Sequence, residues 1–498
     1  MIGLTLGSIM GLLGETACLI IAIANIIFCI VIIFIERRNP QTAMLWALLF
    51  LFIPIVGFIL YLFCGRHLHK AHIYNKKYFS DKVISEAAVN DVMKECLNRF
   101  GSDLYGFENV ARFNSNADMA ILSANNAVER YDDGEAKFAA FRETIASAKK
   151  YIHLEYFIIR DDDLGREIID LLAKKAREGV KVRAIFDSGG LGSIHGKKRF
   201  FAPLVDAGGD VRIFFKQKIP VIDLRINFRD HRKILVVDGL TGMIGGFNIG
   251  DEYLGKGKLG PWRDTHLRIR GYGVGSLQTR FIMDWNHVAK DAQIFIEENN
   301  DQYYYPEDVY MKEFGTSRVQ IVSSGPDSPE KAIYYSYLSL MSRAKESVYI
   351  HSPYFVPDEA MLETFRIAIR SGIDVRIVIP CKPDHPFIYW ANHSYLGDLI
   401  RLGARGYEYN DGFIHSKASI YDGKVASVGT ANWDIRSFKL NFETQAFVYD
   451  ETFASQMKED FLRELETNCT EITLEAYNNR STMTKIKEGI CRLFSPLL

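Results

Sequence analysis

The sequence is short of several features that would narrow its chemistry on their own. Its 60 basic and 61 acidic residues leave a net charge of −1. No global preference for nucleic acid or another polyanion follows, and any anion site has to be local. The seven cysteines are odd in number and never form a CxxC pair. That excludes a disulfide framework and a cysteine zinc site, and it suits a reducing compartment. There is no basic stripe of the kind that tracks a phosphate backbone, which argues against nucleic acid as a partner. No positive segment precedes the first apolar run and no small-residue cleavage site follows it, which argues against a cleaved secretory signal.

What the sequence does hold is a repeated pattern. HRKILVVDGLTGMIGG starts at His231, and HSKASIYDGKVASVGT starts at His415. Both have the form HxKxxxxDG, at residues 231–238 and 415–422. A short buried strand ending in an Asp-Gly turn is the expected structure. Side chains alternate along a strand, so His231 and Lys233 share one face, as do His415 and Lys417. Asp238 and Asp422 complete the motif, but they sit beside the turn glycine, where a carboxylate braces backbone more often than it does chemistry. Gly245, Gly246 and Asn248 match Gly429, Thr430 and Asn432, and an acid follows in each copy, Asp264 in WRDTH and Glu443 in NFETQ. Two copies in the same surroundings make coincidence a poor account.

The surroundings repeat as well. A helix over 137–150, a strand over 151–159, a helix over 165–178 and a strand over 180–186 are expected in the first half. In the second, VYIHSPYFVPD matches YIHLEYFIIRD, Gly372 takes the place of Gly179, and Gly403 that of Gly208. The class is α/β, built by internal duplication, and two halves facing each other would bring both motifs to one cleft. Two apolar runs, 16–35 and 42–64, are each long enough to cross a bilayer as a helix, which predicts an amino-terminal transmembrane hairpin in which Asn25 can bond across. Arg37 and Arg38 lie in the turn, and Arg66, Lys70, Lys76 and Lys77 follow the second run, which favours the cytoplasmic side for the remainder. The expected layout is a hairpin over 1–66, a connecting segment over 67–125, and halves over 126–315 and 316–498. In the tail, 470–498, a helix through Ile486, Ile490 and Leu493 carries Lys485, Lys487 and Arg492. Core packing and contact with a membrane surface are both open for it.

A phosphodiester is shielded by its own charge, so attack on it needs cations at the non-bridging oxygens, a nucleophile, and a proton for the leaving alkoxide. Two Lys-His pairs supply all three without a cofactor. Lys233 and Lys417 would hold the oxygens, with Asn248 and Asn432 as further donors; one histidine attacks and the other transfers the proton. The i, i+2 partner in each motif is a lysine, which cannot ligate when charged, and no acid or cysteine stands at metal-ligand spacing, so no metal is expected. The motif is nearly symmetric and leaves open which histidine attacks. His153 and His351 occupy matching strand positions and read as core histidines, and Tyr303, Tyr304 and Tyr305 as a solvated or packed connection.

The paired motifs resemble the phospholipase D superfamily. ERRNP between apolar runs, NFRDHRK, WRDTH and the closing SPLL narrow the likeness to the bacterial cardiolipin synthases, over nearly the whole chain. The resemblance implies two α/β/α sandwich halves sharing an active site, a phosphohistidine intermediate on His231, and His415 as general acid and base. It further implies that Asp264 and Glu443 bond the far nitrogens of the histidines. The substrate it implies is phosphatidylglycerol in the cell membrane, one molecule donating its phosphatidyl group to another with release of glycerol. Rival readings are a membrane-bound phospholipase D, a nuclease of the same superfamily and a silent membrane scaffold. Gly246 stands where the superfamily often carries a hydroxyl residue, which weakens any phosphate contact from that position.

Overall fold

The first strand after a predicted helix is buried at every residue from Tyr151 to Tyr156, on both faces, as a strand covered on both sides by helices must be. The computed structural model describes residues 15–35, 40–61, 77, 104–215, 228–296, 301–306, 309 and 312–494. The turn with Arg37 and Arg38, the basic residues Arg66, Lys70 and Lys76, most of the predicted connecting segment and the closing SPLL lie outside these residues. Two compact units are present among the described residues, one running up to Tyr61 and the other from Lys77 onward.

In the first unit the apolar run predicted over 16–35 forms α1 (Glu15–Ile30), which passes into a π-helical turn at Val31–Ile35. The second run is divided into α2 (Pro40–Phe52) and α3 (Pro54–Leu60). The division falls at Ile53, where Pro54 brings no N–H to continue the ladder. No helix among the described residues is long and apolar enough to cross a membrane. The helices still pack on one another: Asn25 Nδ2 donates to the Pro54 carbonyl at 3.1 Å, and the Tyr61 ring meets Phe28 at 4.8 Å and Trp46 at 5.4 Å.

The second unit is organised by one continuous sheet. Its first half contributes β1 (Leu122–Tyr131), β2 (Tyr151–Tyr156), β3 (Lys181–Asp187), β4 (Asp210–Phe214), β5 (Lys233–Val237), β6 (Thr241–Gly245) and β7 (His266–Gly271). The second contributes β8 (Ser317–Ser324), β9 (Ser347–His351), β10 (Asp374–Pro380), β11 (Arg405–Tyr409), β12 (Ala418–Tyr421), β13 (Val425–Gly429) and β14 (Glu443–Tyr449), with β15 (Cys469–Ile472) added at its edge. The halves meet where β8 runs antiparallel to β1 and, on its other side, to β14. Outward from there the order is β1-β7-β6-β5-β2-β3-β4 on one side and β8-β14-β13-β12-β9-β10-β11 on the other. The duplication read in the sequence is therefore a duplication of topology, strand for strand.

Helices cover this sheet. α4 (Glu108–Asp118), which falls in the stretch expected to be only a connection, packs Val110 and Ala111 into the core of the second half. α5 (Gly134–Ala146) and α6 (Asp163–Arg177) are started by Asp133 and Asp162, whose carboxylates accept from Ala136 N and Gly165 N. α6 buries Ile168, Ile169 and Leu172, at about 1.5–3 kcal/mol for each fully buried aliphatic side chain. It ends at Gly179, with φ +91°, and Val180 N–H donates back to the Lys175 carbonyl. In the second half α7 (Ala332–Arg343) has no such cap, but α8 (Glu359–Arg370) is started by Asp358 and ends in the same way, with Gly372 at φ +86° and Ile373 N–H donating to Ala368. Only a residue without Cβ enters that conformation freely, which explains the matching glycines.

The motif strands end in matching turns. Asp238 and Gly239 have φ +54° and +69°, Asp422 and Gly423 +55° and +65°. The Asp238 carboxylate accepts from the backbone N–H groups of Lys149, Lys150 and Tyr151 at 2.7–2.8 Å. Asp422 accepts from Lys345, Glu346 and Ser347 at 2.8–2.9 Å. Each aspartate thus ties the motif hairpin to the start of the neighbouring strand, at the end of its strand away from His231 or His415. Bonds to a charged acceptor contribute about 1.5–3 kcal/mol each, and replacing the acceptor orphans three backbone donors, of which that of Tyr151 or Ser347 is buried. Asp238→Ala and Asp422→Ala are expected to lower unfolding stability by about 3 kcal/mol or more, measured by denaturant titration of the detergent-solubilised chain. An unchanged midpoint with lost turnover would instead assign these carboxylates to chemistry.

Candidate active site

Both motif histidines are fixed by main chain from the opposite half. His231 N–H donates to the Phe442 carbonyl at 2.9 Å, and Phe442 N–H donates to Arg229 at 2.8 Å. His415 N–H donates to the Arg263 carbonyl at 2.7 Å, where Phe413–Ile414 pairs in parallel with Trp262–Arg263. Phe442 and Arg263 directly precede the two acids of the sequence pattern, so the histidine and acid side chains are brought together in crossed pairs. His231 Nδ1 lies 2.9 and 3.1 Å from the two carboxylate oxygens of Glu443, and His415 Nδ1 lies 2.6 Å from Asp264 Oδ2. With Nδ1–H donated to a carboxylate, Nε2 is left as the reactive nitrogen of each ring.

The two pairs differ in their support. Thr430 Oγ1 donates to Glu443, and Asn441 Nδ2 donates to it at 3.3 Å. At the matching position of the first half, a Cβ on Gly246 would fall 2.0 Å from Asp264 Oδ1. The shorter acid therefore occupies the space that a side chain at 246 would need, and the Thr265 N–H bonds it instead, at 2.7 Å. This accounts for the departure at Gly246 seen in the sequence.

Lys233 Nζ donates to the His231 carbonyl at 2.7 Å, and Lys417 Nζ donates to the His415 carbonyl and approaches His415 Nδ1 at 2.9 Å. All four side chains are buried, together with Asp264 and Glu443. Burial pushes Lys233 down to about 7 and Lys417 down to about 8, in spite of the two acids. Burial raises Asp264 to about 6 against the pull of Lys417. Burial also works to raise Glu443, but His231 and Lys233 outweigh it and hold this carboxyl below its ordinary value. Both histidines are depressed by burial, His415 further, because Lys417, Lys233 and His231 add to the burial, whereas Glu443 partly restores His231. The site therefore brings together two imidazoles of depressed basicity and two easily discharged lysines.

Asn248 and Asn432 are buried beside these groups. Asn248 Nδ2 donates to Tyr253 Oη at 3.0 Å, Asn432 N–H donates to Ser437 Oγ at 3.2 Å, and the side-chain Oδ1 of each has no hydrogen-bond partner among the described residues. Tyr253 Oη also lies 3.3 Å from His415 Nδ1. Aromatic rings wall the histidines, Phe157 at 5.1 Å from His231 and Trp262 at 5.2 Å from His415. Sequence reasoning gave no role to Tyr253 or Phe157. A signal for Tyr253 existed, since it follows Asn248 by the interval that separates Ser437 from Asn432. Asp238 and Asp422 are not brought to the histidines. His153 is stacked on Phe281 and bonded to Gln278, His351 is paired with Glu464 at 2.9 Å, and the rings of Tyr303 and Tyr304 pack on Tyr151.

Comparison with known proteins identifies the family. Residues 141–257 and 337–465, one stretch in each half, match the family model described as cardiolipin synthase, PLD-like domain, and 23–66 match the phospholipase D-nuclease N-terminal model. The chain is 43% identical to the major cardiolipin synthase ClsA of Bacillus subtilis (strain 168), over 96% of this chain and 98% of that one. It is 44% identical to a cardiolipin synthase of Staphylococcus aureus (strain N315), over 96% and 95%. The crystal structure of phosphatidylserine synthase from Haemophilus influenzae Rd KW20 superimposes with a TM-score of 0.58 over 78% of this chain and 98% of that one, at 14% identity, which shows a common fold. With both duplicated halves matched and the likeness carried through nearly the full length of these relatives, the chain belongs to the cardiolipin synthase family of the phospholipase D superfamily.

Proposed function

We propose that the chain transfers a phosphatidyl group from one phosphatidylglycerol to another, releasing glycerol and forming cardiolipin. The observation that carries this is the pair of crossed histidine–acid contacts with a lysine beside each. His231 is the nucleophile. Its Nδ1–H is held by an ionised Glu443, so Nε2 presents a lone pair to phosphorus. As the His231–phosphorus bond forms, the bond to the glycerol oxygen breaks and His415 gives that oxygen a proton. A hydroxyl of the second phosphatidylglycerol then attacks phosphorus, His415 takes its proton, and His231 is released.

His415 has to be protonated for this step, although burial and the neighbouring lysines depress it. The substrate's own negative charge supplies the remedy: bound between Lys233 and Lys417 it offsets the charges that depress His415, so a proton is taken up with the lipid. The amide groups of Asn248 and Asn432, each with a buried oxygen lacking a partner among the described residues, can turn to place N–H donors on the phosphoryl oxygens. Phe157, Tyr253 and Trp262 limit water at the intermediate, which otherwise turns transfer into hydrolysis. Exchange between similar phosphate esters needs no nucleotide.

The layout that goes with this function is a helical hairpin over 1–66 that anchors the chain, a connection over 67–125, and halves over 126–315 and 316–498. Supporting it are the match over 23–66 and the exposed apolar surface of α1, including Leu19, Ile23 and Ile27. An anchored cleft meets lipid phosphodiesters at high effective concentration. The basic flank beyond the hairpin favours the cytoplasmic face for both halves.

Three results are expected. In reactions with phosphate-labelled phosphatidylglycerol quenched with detergent at alkaline pH, where a histidine–phosphorus bond survives, label stays on the peptide containing His231 and is absent from His231→Ala, with turnover down by about a thousandfold or more. Label on His415 instead would reverse the two roles. Between pH 5 and 9 the rate of labelling rises as Asp264 ionises near 6, and falls as Lys233 and Lys417 discharge between about 7 and about 8. Asp264→Asn should remove the acidic limb, and a profile flat across this range would contradict the assignment. For the anchor, alkaline carbonate washing should leave the chain in the membrane pellet and release it once residues 1–66 are deleted. Release of the intact chain would dismiss the hairpin.

A further inference from the structure

The last described helix, α9 (Thr482–Phe494), faces the wrong way for a helix that merely closes a core. Towards the protein it presents Glu488, 3% exposed, and Cys491, 6% exposed. It is fastened there by polar contacts: Arg492 pairs with Asp398, the Arg480 guanidinium bonds Glu488 at 2.8 Å, and Lys487 lies 5.0 Å from the Trp390 ring. Away from the protein it shows Met483 at 60%, Ile486 at 49%, Ile490 at 52% and Leu493 at 61% exposure. These residues stand at i, i+3, i+7 and i+10, so they form one stripe along the helix. In a soluble protein such a stripe is turned inward; here it is turned out.

We propose that this stripe is a lipid-docking surface that lies in the interface of an anionic bilayer. Three observations select lipid over another protein. Lys485 and Lys487 fall on opposite sides of the stripe at helical spacing, where their ammonium groups can meet headgroup phosphates while their stems follow the apolar face. Gly489, on the outer part of the helix, has nothing within 4 Å of a Cβ position, so none of the described elements covers the stripe there. Four side chains are also too small a patch for the roughly 800 Å² per partner that a stable protein interface buries. The surface deepens the proposed function and rests on it for its purpose, since the proposed donor and acceptor are both anionic lipids. With the helix seated in the interface, the second unit is held against the layer that supplies both substrates, separately from the hairpin.

The test uses the full chain in vesicles of phosphatidylglycerol and phosphatidylethanolamine doped with a phospholipid carrying a diazirine in its acyl chain. After irradiation and digestion, label is expected on residues 482–494, at Met483, Ile486, Ile490 or Leu493, and to fall at least threefold in a Lys485→Glu, Lys487→Glu variant. Label on residues 15–35 but none on this helix would overturn the proposal, as would crosslinks joining this helix in two copies of the chain. Labelling reads depth and needs no variant that might misfold. It is also independent of turnover: a chain that takes label here but makes no cardiolipin refutes the reaction and keeps the surface.

Discussion

The cleft depends on a constraint that neither half can meet alone. Each motif histidine needs a carboxylate on its Nδ1 to fix the tautomer that leaves Nε2 reactive, and in both cases the other half supplies it. The backbone bonds from His231 to Phe442 and from His415 to Arg263 set the crossing before any side chain is considered. Separating the halves would leave two buried imidazoles without their acids and two buried lysines without their counter-charges. One sheet running through both halves, joined at β1 and β8, is the mechanical expression of that requirement.

Duplication gives the cleft its symmetry, and small departures from symmetry divide the labour. Glu443 is longer than Asp264 and takes a hydroxyl bond from Thr430; Asp264 fills the space that Gly246 leaves. The outcome is an acid held below its ordinary range beside His231 and one raised to about 6 beside His415. On the proposed assignment, an ionised partner suits the nucleophile His231, and a partner that titrates near neutrality suits His415, which exchanges protons in both steps. Lys233 and Lys417 are both lowered by burial.

Much of this was legible in the sequence because it is local. The HxK alternation, the Asp-Gly turns with both residues in the left-handed region, and the matching glycines at 179 and 372 all follow from backbone geometry over a few residues. The family resemblance supplied the link between the acids and the histidines, but not that the pairs are crossed, because crossing depends on how two distant halves meet. Tyr253 escaped notice because its partner His415 lies far along the chain. At the amino terminus hydropathy predicted two unbroken spans, whereas a π-helical turn at Val31–Ile35 and the break before Pro54 divide the described helices. In the last helix periodicity identified an apolar stripe but could not say whether it pointed in or out; only the packing on Asp398 and Trp390 decides that.

The account stands most directly on the fate of the phosphatidyl group once it has left the first lipid. Purified chain in mixed micelles with glycerol-labelled phosphatidylglycerol, and no nucleotide added, should yield cardiolipin and free glycerol in equal amounts. Both products should disappear in His415→Ala as well as His231→Ala. Phosphatidic acid in place of cardiolipin, with glycerol still released, would show that water reaches the intermediate and would contradict a cleft built for transfer.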